Sequence, residues 1–345
     1  MVRYYNKGGF TAADGFHASP SSTPIQYWGV LNEPSINGFT DPTTAAADYT
    51  AVYNHVVPDM LLVDPTIKFV ALEMCCSSET WVPTFAANVN AQVDVVASHY
   101  YSSCNQRDTD SQLFATVPGF VSSINSIYSS LSTNPALANV PVWITENNVN
   151  ADFNAGNNRS ACNPGQAFVT DLRGSSAFFA AWRPYVFSQV GKAGARLLHH
   201  WDFNADAQFG EVNWPGNNTF QLQLSYWVDY WLERYFPAGT NQQLLNITNS
   251  NTAQIEVLPV ANPDGSVVIM VSNHAVASPT DNNGKGLTAN VTLDISGLSS
   301  FASASELVMD STTSSSTGPS AVSISPTSPI SFTMNGYSVV FIKLQ

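Results

Sequence analysis

Charge is scarce in this chain. Only 11% of its 345 residues are charged, and cations are the rarer sign: 12 Lys and Arg stand against 25 Asp and Glu, a formal net charge of −13. Such a surface has little with which to neutralise a phosphate backbone or an anionic bilayer, which argues against nucleic acid and membrane as partners. No apolar run is long enough to span a bilayer. The opening MVRYYNKGGF lacks the apolar core of a secretory leader. Cysteines are few, and Cys75, Cys76, Cys104 and Cys162 include no Cys-x-x-Cys spacing, so a structural zinc site is not expected. A phosphate-binding glycine loop, a dinucleotide fingerprint and a Ser-His-Asp arrangement are likewise absent. No cofactor and no metal are expected.

What is present is a globular composition, 44% hydrophobic and 12% aromatic, too apolar for a disordered chain. Ser, Thr and Asn occupy the places that charges usually fill. That gives a neutral surface of hydroxyls and amides, as exported proteins carry and as suits a sugar ligand. Secretion or a periplasmic location is expected, with the cytoplasm as the alternative.

The first two-thirds of the chain alternate apolar runs with helical patterns. Runs at Tyr27–Leu31, Lys68–Met74, Val93–Tyr100, Val140–Thr145 and Ala195–His200 read as strands. Helical segments follow each: one opened by Asp41 as N-cap with Pro42 behind it, then 81–90, 111–131, 165–190 and 220–235. Five β-α units with apolar strands predict a parallel sheet buried on both faces. Polar and reactive residues gather where the strands end: Asn32-Glu33, Glu73, His99-Tyr100, Glu146 and Trp201-Asp202. In a (β/α) barrel that end carries the active site. From Gly239 onward, short alternating segments separated by Asn, Asp, Gly and Ser predict an all-β sandwich. The expected domains are 1–238, a (β/α) barrel domain, and 239–345, the β-sandwich.

Two strand ends stand out. TPIQYWGVLNEP closes on Asn32-Glu33-Pro34, and VPVWITENN closes on Glu146. Paired carboxylates on separate strands of one sheet are what glycosidic cleavage with retention needs. One protonates the leaving oxygen and the other attacks the anomeric carbon, across a gap of about 5–5.5 Å.

In these motifs the chain resembles the clan A glycoside hydrolases, and most closely those of glycoside hydrolase family 39. They place an acid/base glutamate in an Asn-Glu-Pro motif after strand four of a (β/α)8 barrel and a nucleophilic glutamate after strand seven. The resemblance covers nearly the whole chain, including the β-sandwich. It implies Glu33 as acid/base, Glu146 as nucleophile, Asn32 on the sugar 2-hydroxyl, His99 or Tyr100 orienting the nucleophile, and Trp201 as a sugar platform. Glu73, inside a buried strand, is expected to be paired or to touch substrate. The implied function is a retaining, exo-acting β-glycosidase on β-galactosides or β-xylosides, oligosaccharide or aryl glycoside. The alternative is a carbohydrate-binding or degenerate barrel fragment.

The resemblance also exposes a departure. The five β-α units correspond to strands four to eight, so the expected fold is an incomplete TIM-type barrel plus sandwich. The strands before Glu33 and Trp201 should then be sheet edges. Unpaired parallel edges predict a homo-oligomer covering the open side. The cysteines fall in loops at the same end, and a disulfide is expected from Cys104 to Cys75, Cys76 or Cys162. No bridge is expected within the vicinal pair Cys75-Cys76, whose ring is strained.

Overall fold

In the computed structural model the apolar runs pair as read. The structure describes residues 1–19, 21, 23–75, 78–214 and 219–345. Strands β1 (Tyr27–Gly29), β2 (Lys68–Cys75), β3 (Val95–Ser103), β4 (Val142–Asn150) and β5 (Leu197–Leu198) form one sheet in chain order. The registers of β1 on β2, β2 on β3 and β4 on β5 are all parallel. As expected, β1 and β5 are the edges of this sheet among the described residues. Phe69, Val70, Ala71 and Leu72 on β2 and Val95, Val96 and Ala97 on β3 are each no more than 5% exposed. Burial on both faces is why these strands read as unbroken apolar runs.

The connecting helices differ in detail from expectation. Helix α1 spans Ala45–Val63, and Asp41 caps a preceding turn instead, its carboxylate accepting from Thr43 N–H at 2.8 Å. Helix α2 spans Val82–Asn88. The segment read as one helix over 111–131 is two, α3 (Asp110–Ala115) and α4 (Val117–Leu131). Pro118 supplies no N–H to bond the carbonyl four residues earlier, and the run is interrupted at Thr116. Helix α5 begins only at Ala177 and runs to Lys192. Residues 165–171 are irregular rather than helical. Helix α6 is Leu224–Tyr235.

The C-terminal third is a sandwich. One sheet has six strands in the order β6 (Gln243–Leu244), β7 (Ile255–Ala261), β8 (Val267–Asn273), β13 (Ser338–Leu344), β10 (Ala304–Met309), β11 (Val322–Ile324). The other pairs β9 (Ala289–Leu293) with β12 (Ile330–Met334). Ile255, Val257, Ile269, Val271, Val340 and Ile342 face Leu293, Ile330 and Met334 in a common core. The opposite face of the larger sheet is buried too: the Phe341 ring stacks on Tyr235 of α6 at 4.9 Å, and Ser272 donates to Ala181 O of α5 at 2.7 Å. That explains why Val267–Asn273 and Ser338–Leu344 are nearly continuous apolar runs, where a one-sided sheet would alternate.

By contact density the chain divides into two compact units. The first comprises 1–100, 119–147 and 190–199; the second comprises 101–118, 148–189 and 200–345. Within the second, Arg173 and Asp110 are fully buried. The Arg173 guanidinium is bound by Asp171 at 2.6 Å and faces Asp110 at 3.3 Å. Asp110 in turn accepts from the backbone N–H of Asn283 and Gly284, both at 2.8 Å, and from the Tyr337 hydroxyl at 3.1 Å. One buried carboxylate thus ties three segments together, its charge fully partnered. The Cys104–Cys162 disulfide, among those expected, lies in this unit too. Cys75 is also disulfide-bonded. Cys76, and with it the expectation about the vicinal pair, lies outside the described residues.

Candidate active site

Three carboxylates and one imidazole come together in the first unit. Each arrives by a backbone device at its strand.

Glu33 follows β1 through a tight turn in which Leu31 (φ 69°) and Glu33 (φ 48°) adopt left-handed backbone geometry. Non-glycine residues hold such geometry only where surrounding bonds enforce it. Here the Glu33 N–H donates to Glu73 O at 3.0 Å, and Glu33 O accepts from the N–H groups of Ile36 and Asn37 at 2.9 Å. Buried Pro34 seats the turn.

Glu73 sits on a β-bulge. The register of β2 against β3 shifts between Leu72 and Met74, and Leu72 and Glu73 both have positive φ. An extra residue in a strand leaves backbone groups without ladder partners. The Leu72 N–H finds one in the buried Tyr49 hydroxyl at 2.8 Å. The bulge turns the Glu73 carboxylate against Gly29 of β1, where a Cβ would overlap it. Burial is the main reason its pKa rises from 4.5 to about 7; His99 pulls it down and the charge of Glu146 pushes it up further.

His99 lies on β3 with its side chain 1% exposed. Its Nδ1 is 2.9 Å from Glu33 Oε1 and 3.4 Å from Glu146 Oε2. Glu146 stands inside β4, which runs on to Asn150 rather than stopping at Thr145. One oxygen from each of Glu33 and Glu146 and the His99 nitrogen lie within 4.8 Å of one another. The Glu33 and Glu146 side chains are 21% and 13% exposed, so both are reachable from solvent. A pair of carboxylates that is close and reachable from solvent can serve as acid, base or nucleophile toward a glycosidic bond.

The other expected residues fall out differently. Asn32 is exposed, and its carbonyl accepts from Asn37 Nδ2 at 3.2 Å. Tyr100 is not brought to the carboxylates. Successive residues of a strand point to opposite faces, so with His99 turned toward the pair, Tyr100 packs on Phe120 of α4, ring centroids 3.4 Å apart. Burial there raises its pKa, with Ser123 and Glu79 as its polar neighbours. Only its backbone serves the strand carrying Glu146, accepting from Asn147 Nδ2 at 2.7 Å. Trp201 belongs to the second unit and is 44% exposed. Gly29 was not singled out from the sequence, although a glycine inside a strand is a signal of close approach.

Two groups of three side chains have ligand atoms close enough to hold a metal: Glu33, His99 and Glu146, and, in the second unit, His200, Glu211 and Asp229. The second already has an internal account. His200 Nδ1 is 2.8 Å from Asp229, whose other oxygen accepts from Arg183 Nε at 2.7 Å. His200 Nε2 faces Phe209 O at 2.9 Å. Burial opposes a charge on His200, but its contacts with Asp229 and Glu211 outweigh burial and raise the pKa.

Comparison with known proteins fits this geometry. Residues 11–176 match the family Glycosyl hydrolase catalytic core. No curated protein sequence matches the chain. Among solved structures, the GH51 arabinofuranosidase from Xanthomonas axonopodis pv. citri superposes with a TM-score of 0.65 at 16% identity, over 96% of this chain and 68% of that one. The monomeric β-xylosidase from Caulobacter crescentus CB15 gives 0.62 at 16% identity, over 92% and 68%. A GH39 enzyme from Xanthomonas axonopodis pv. citri gives 0.62 at 14%, over 92% and 68%. At these identities the likeness is one of fold.

Proposed function

We propose that this chain, a glycoside hydrolase with the fold of the clan A families, cleaves glycosidic bonds with retention by double displacement. The observation that carries the reading is the approach of Glu33 and Glu146 to within 4.8 Å, with His99 Nδ1 facing both. In the first step Glu146 attacks the anomeric carbon while Glu33 gives its proton to the departing oxygen. In the second, Glu33 takes a proton from water, which displaces Glu146. His99 is a positioning residue: Nδ1–H donates to Glu33 and holds the pair at working distance. Asn32 contacts the sugar 2-hydroxyl. The five strands correspond to strands four to eight of a (β/α)8 barrel, a reading supported by their order and by the carboxylates on the first and fourth.

The substrate class proposed is an exo-cleaved β-xyloside or β-galactoside. The arabinofuranosidase and β-xylosidase names of the similar structures lend weight to pentose sugars, so arabinofuranosides belong in any assay panel. The same reading includes a homo-oligomer, because β1 and β5 are the outer strands of the sheet among the described residues. Its interface should exceed about 1,000 Å².

Two variants test the roles on a panel of nitrophenyl glycosides. Glu146→Ala should lose turnover and regain it with azide. Glu33→Ala should retain good leaving groups and fail on poor ones, a loss of about 10²-fold or more. Near-wild-type rates of either variant on a poor leaving group would contradict the assignment.

A further inference from the structure

The second unit holds a cleft of about 970 Å³. This is at the upper end of the range of small-ligand sites, about 300–1,000 Å³. One wall is a short antiparallel hairpin, Val212–Asn213 against Gln221–Leu222. Next to its two strands stand two aromatic residues. Trp214 is 50% and Phe220 65% exposed, and their rings stack 25° from parallel with centroids 5.9 Å apart. Leaving two stacked rings in water forgoes about 25 cal/mol for each Å² of apolar surface that could be buried, and an exposed apolar patch on a polar surface marks a place where something docks.

The rest of the lining says what docks. Phe220 faces into the cleft beside Asn213 and Gln221 of the hairpin, Asn283 and Lys285 of the loop before β9, and Asp310 after β10. Among the described residues no hydrogen bond engages the side chains of Asn213, Gln221 or Lys285, so their donors and acceptors are available to a ligand. Asn283 and Asp310 are partly committed: Asn283 Oδ1 accepts from Ser176 at 2.6 Å and Asp310 Oδ1 from Thr312. One lysine and one aspartate balance, leaving the lining neutral. An aromatic face, unengaged amides and no net charge match a neutral sugar ring, whose C–H face packs on an arene and whose hydroxyls need both donors and acceptors. Nucleotides and uronic acids would call for a surplus of cations, which is not there.

We propose that this cleft is a second carbohydrate-binding site, built from residues other than the catalytic carboxylates, that holds a neutral polysaccharide chain with Phe220, backed by the stacked ring of Trp214, as the aromatic surface. The proposal rests on the carbohydrate-directed reading above and adds a non-catalytic anchor for long substrates.

The test is affinity electrophoresis of the whole chain in native gels containing arabinoxylan, galactan or polygalacturonate, beside kcat/KM on the nitrophenyl glycoside it turns over best. Wild type should be retarded by at least one neutral polymer and not by polygalacturonate. Trp214→Ala/Phe220→Ala should weaken that retardation at least tenfold while kcat/KM on the small substrate stays within twofold. Gln221→Ala, an exposed change whose fold circular dichroism can verify, should weaken it several-fold. No retardation of wild type by either neutral polymer, unchanged retardation of both variants, or loss of small-substrate turnover in step with binding would each overturn the proposal. Wild type that binds polymer yet hydrolyses no glycoside would instead sink the hydrolase mechanism and leave the site standing.

Discussion

Glu73 makes the stability of this protein depend on pH in a way that one substitution should erase. Its pKa is about 7 in the folded chain, against 4.5 for an ordinary glutamate. A raised carboxyl pKa means that the folded chain keeps a proton that the unfolded chain releases. Stability is therefore whole at and below pH 4.5, falls as pH rises toward 7, and levels off above. At 1.36 kcal/mol per pH unit the fall amounts to about 3 kcal/mol. Glu73→Gln keeps the shape but carries no charge at any pH, so the variant should lie within about 1 kcal/mol of wild type at pH 5 and be about 3 kcal/mol more stable at pH 8. Urea unfolding of both proteins at pH 5, 6, 7 and 8 reads this directly, because every other titrating group is common to the two. A gap that stays constant over the series, or that closes as pH rises, would refute the placement of a buried carboxylate against Gly29.

Three further outcomes follow from the rest of the molecule. Asp110→Ala strands the fully buried Arg173 and frees the 283–284 loop; it should cost about 3–5 kcal/mol in urea unfolding, the range for breaking a buried pair from one side. Replacing both Cys104 and Cys162 by Ser opens a loop of sequence separation 58, and loop entropy puts the loss at about 4 kcal/mol, read as a lowered midpoint in urea unfolding. Light scattering over a dilution series should show a dimer; a fully active monomer at assay concentration would mean that the edges at β1 and β5 need no partner.

How far the sequence could be read differs from residue to residue. That Glu33 and Glu146 would come together was legible because each carboxylate closes an apolar run, beside Asn and Pro in one case and Thr in the other, where it has few structural reasons to be. His99 was legible for the same reason, but its neighbour was not separable from it: only the phase of the strand decides which of His99 and Tyr100 turns toward the carboxylates, and an all-apolar strand carries no alternation to reveal that phase. The bulge at Leu72–Glu73 was invisible, since neither residue advertises positive φ as glycine would, and the hydroxyl that satisfies it belongs to Tyr49, 23 positions earlier. The helix read over 165–190 begins only at Ala177, and Val169 in the irregular stretch before it is 41% exposed. The opposite signal was overlooked at Pro118, which breaks the helix after β3. The sandwich was legible from its turns. That its main sheet is buried on both faces depends on α5 and α6, and it shows in the sequence only as the unbroken apolar character of Val267–Val271.

The central claim, that Glu146 attacks the sugar directly while Glu33 serves as acid and then base, is tested most directly by the anomer first released. A proton NMR time course with the nitrophenyl glycoside that the enzyme prefers should show the hemiacetal appearing with the substrate's own anomeric configuration, and the other anomer only later through mutarotation. First release of the opposite anomer would mean single displacement by water, and would contradict the role given to Glu146.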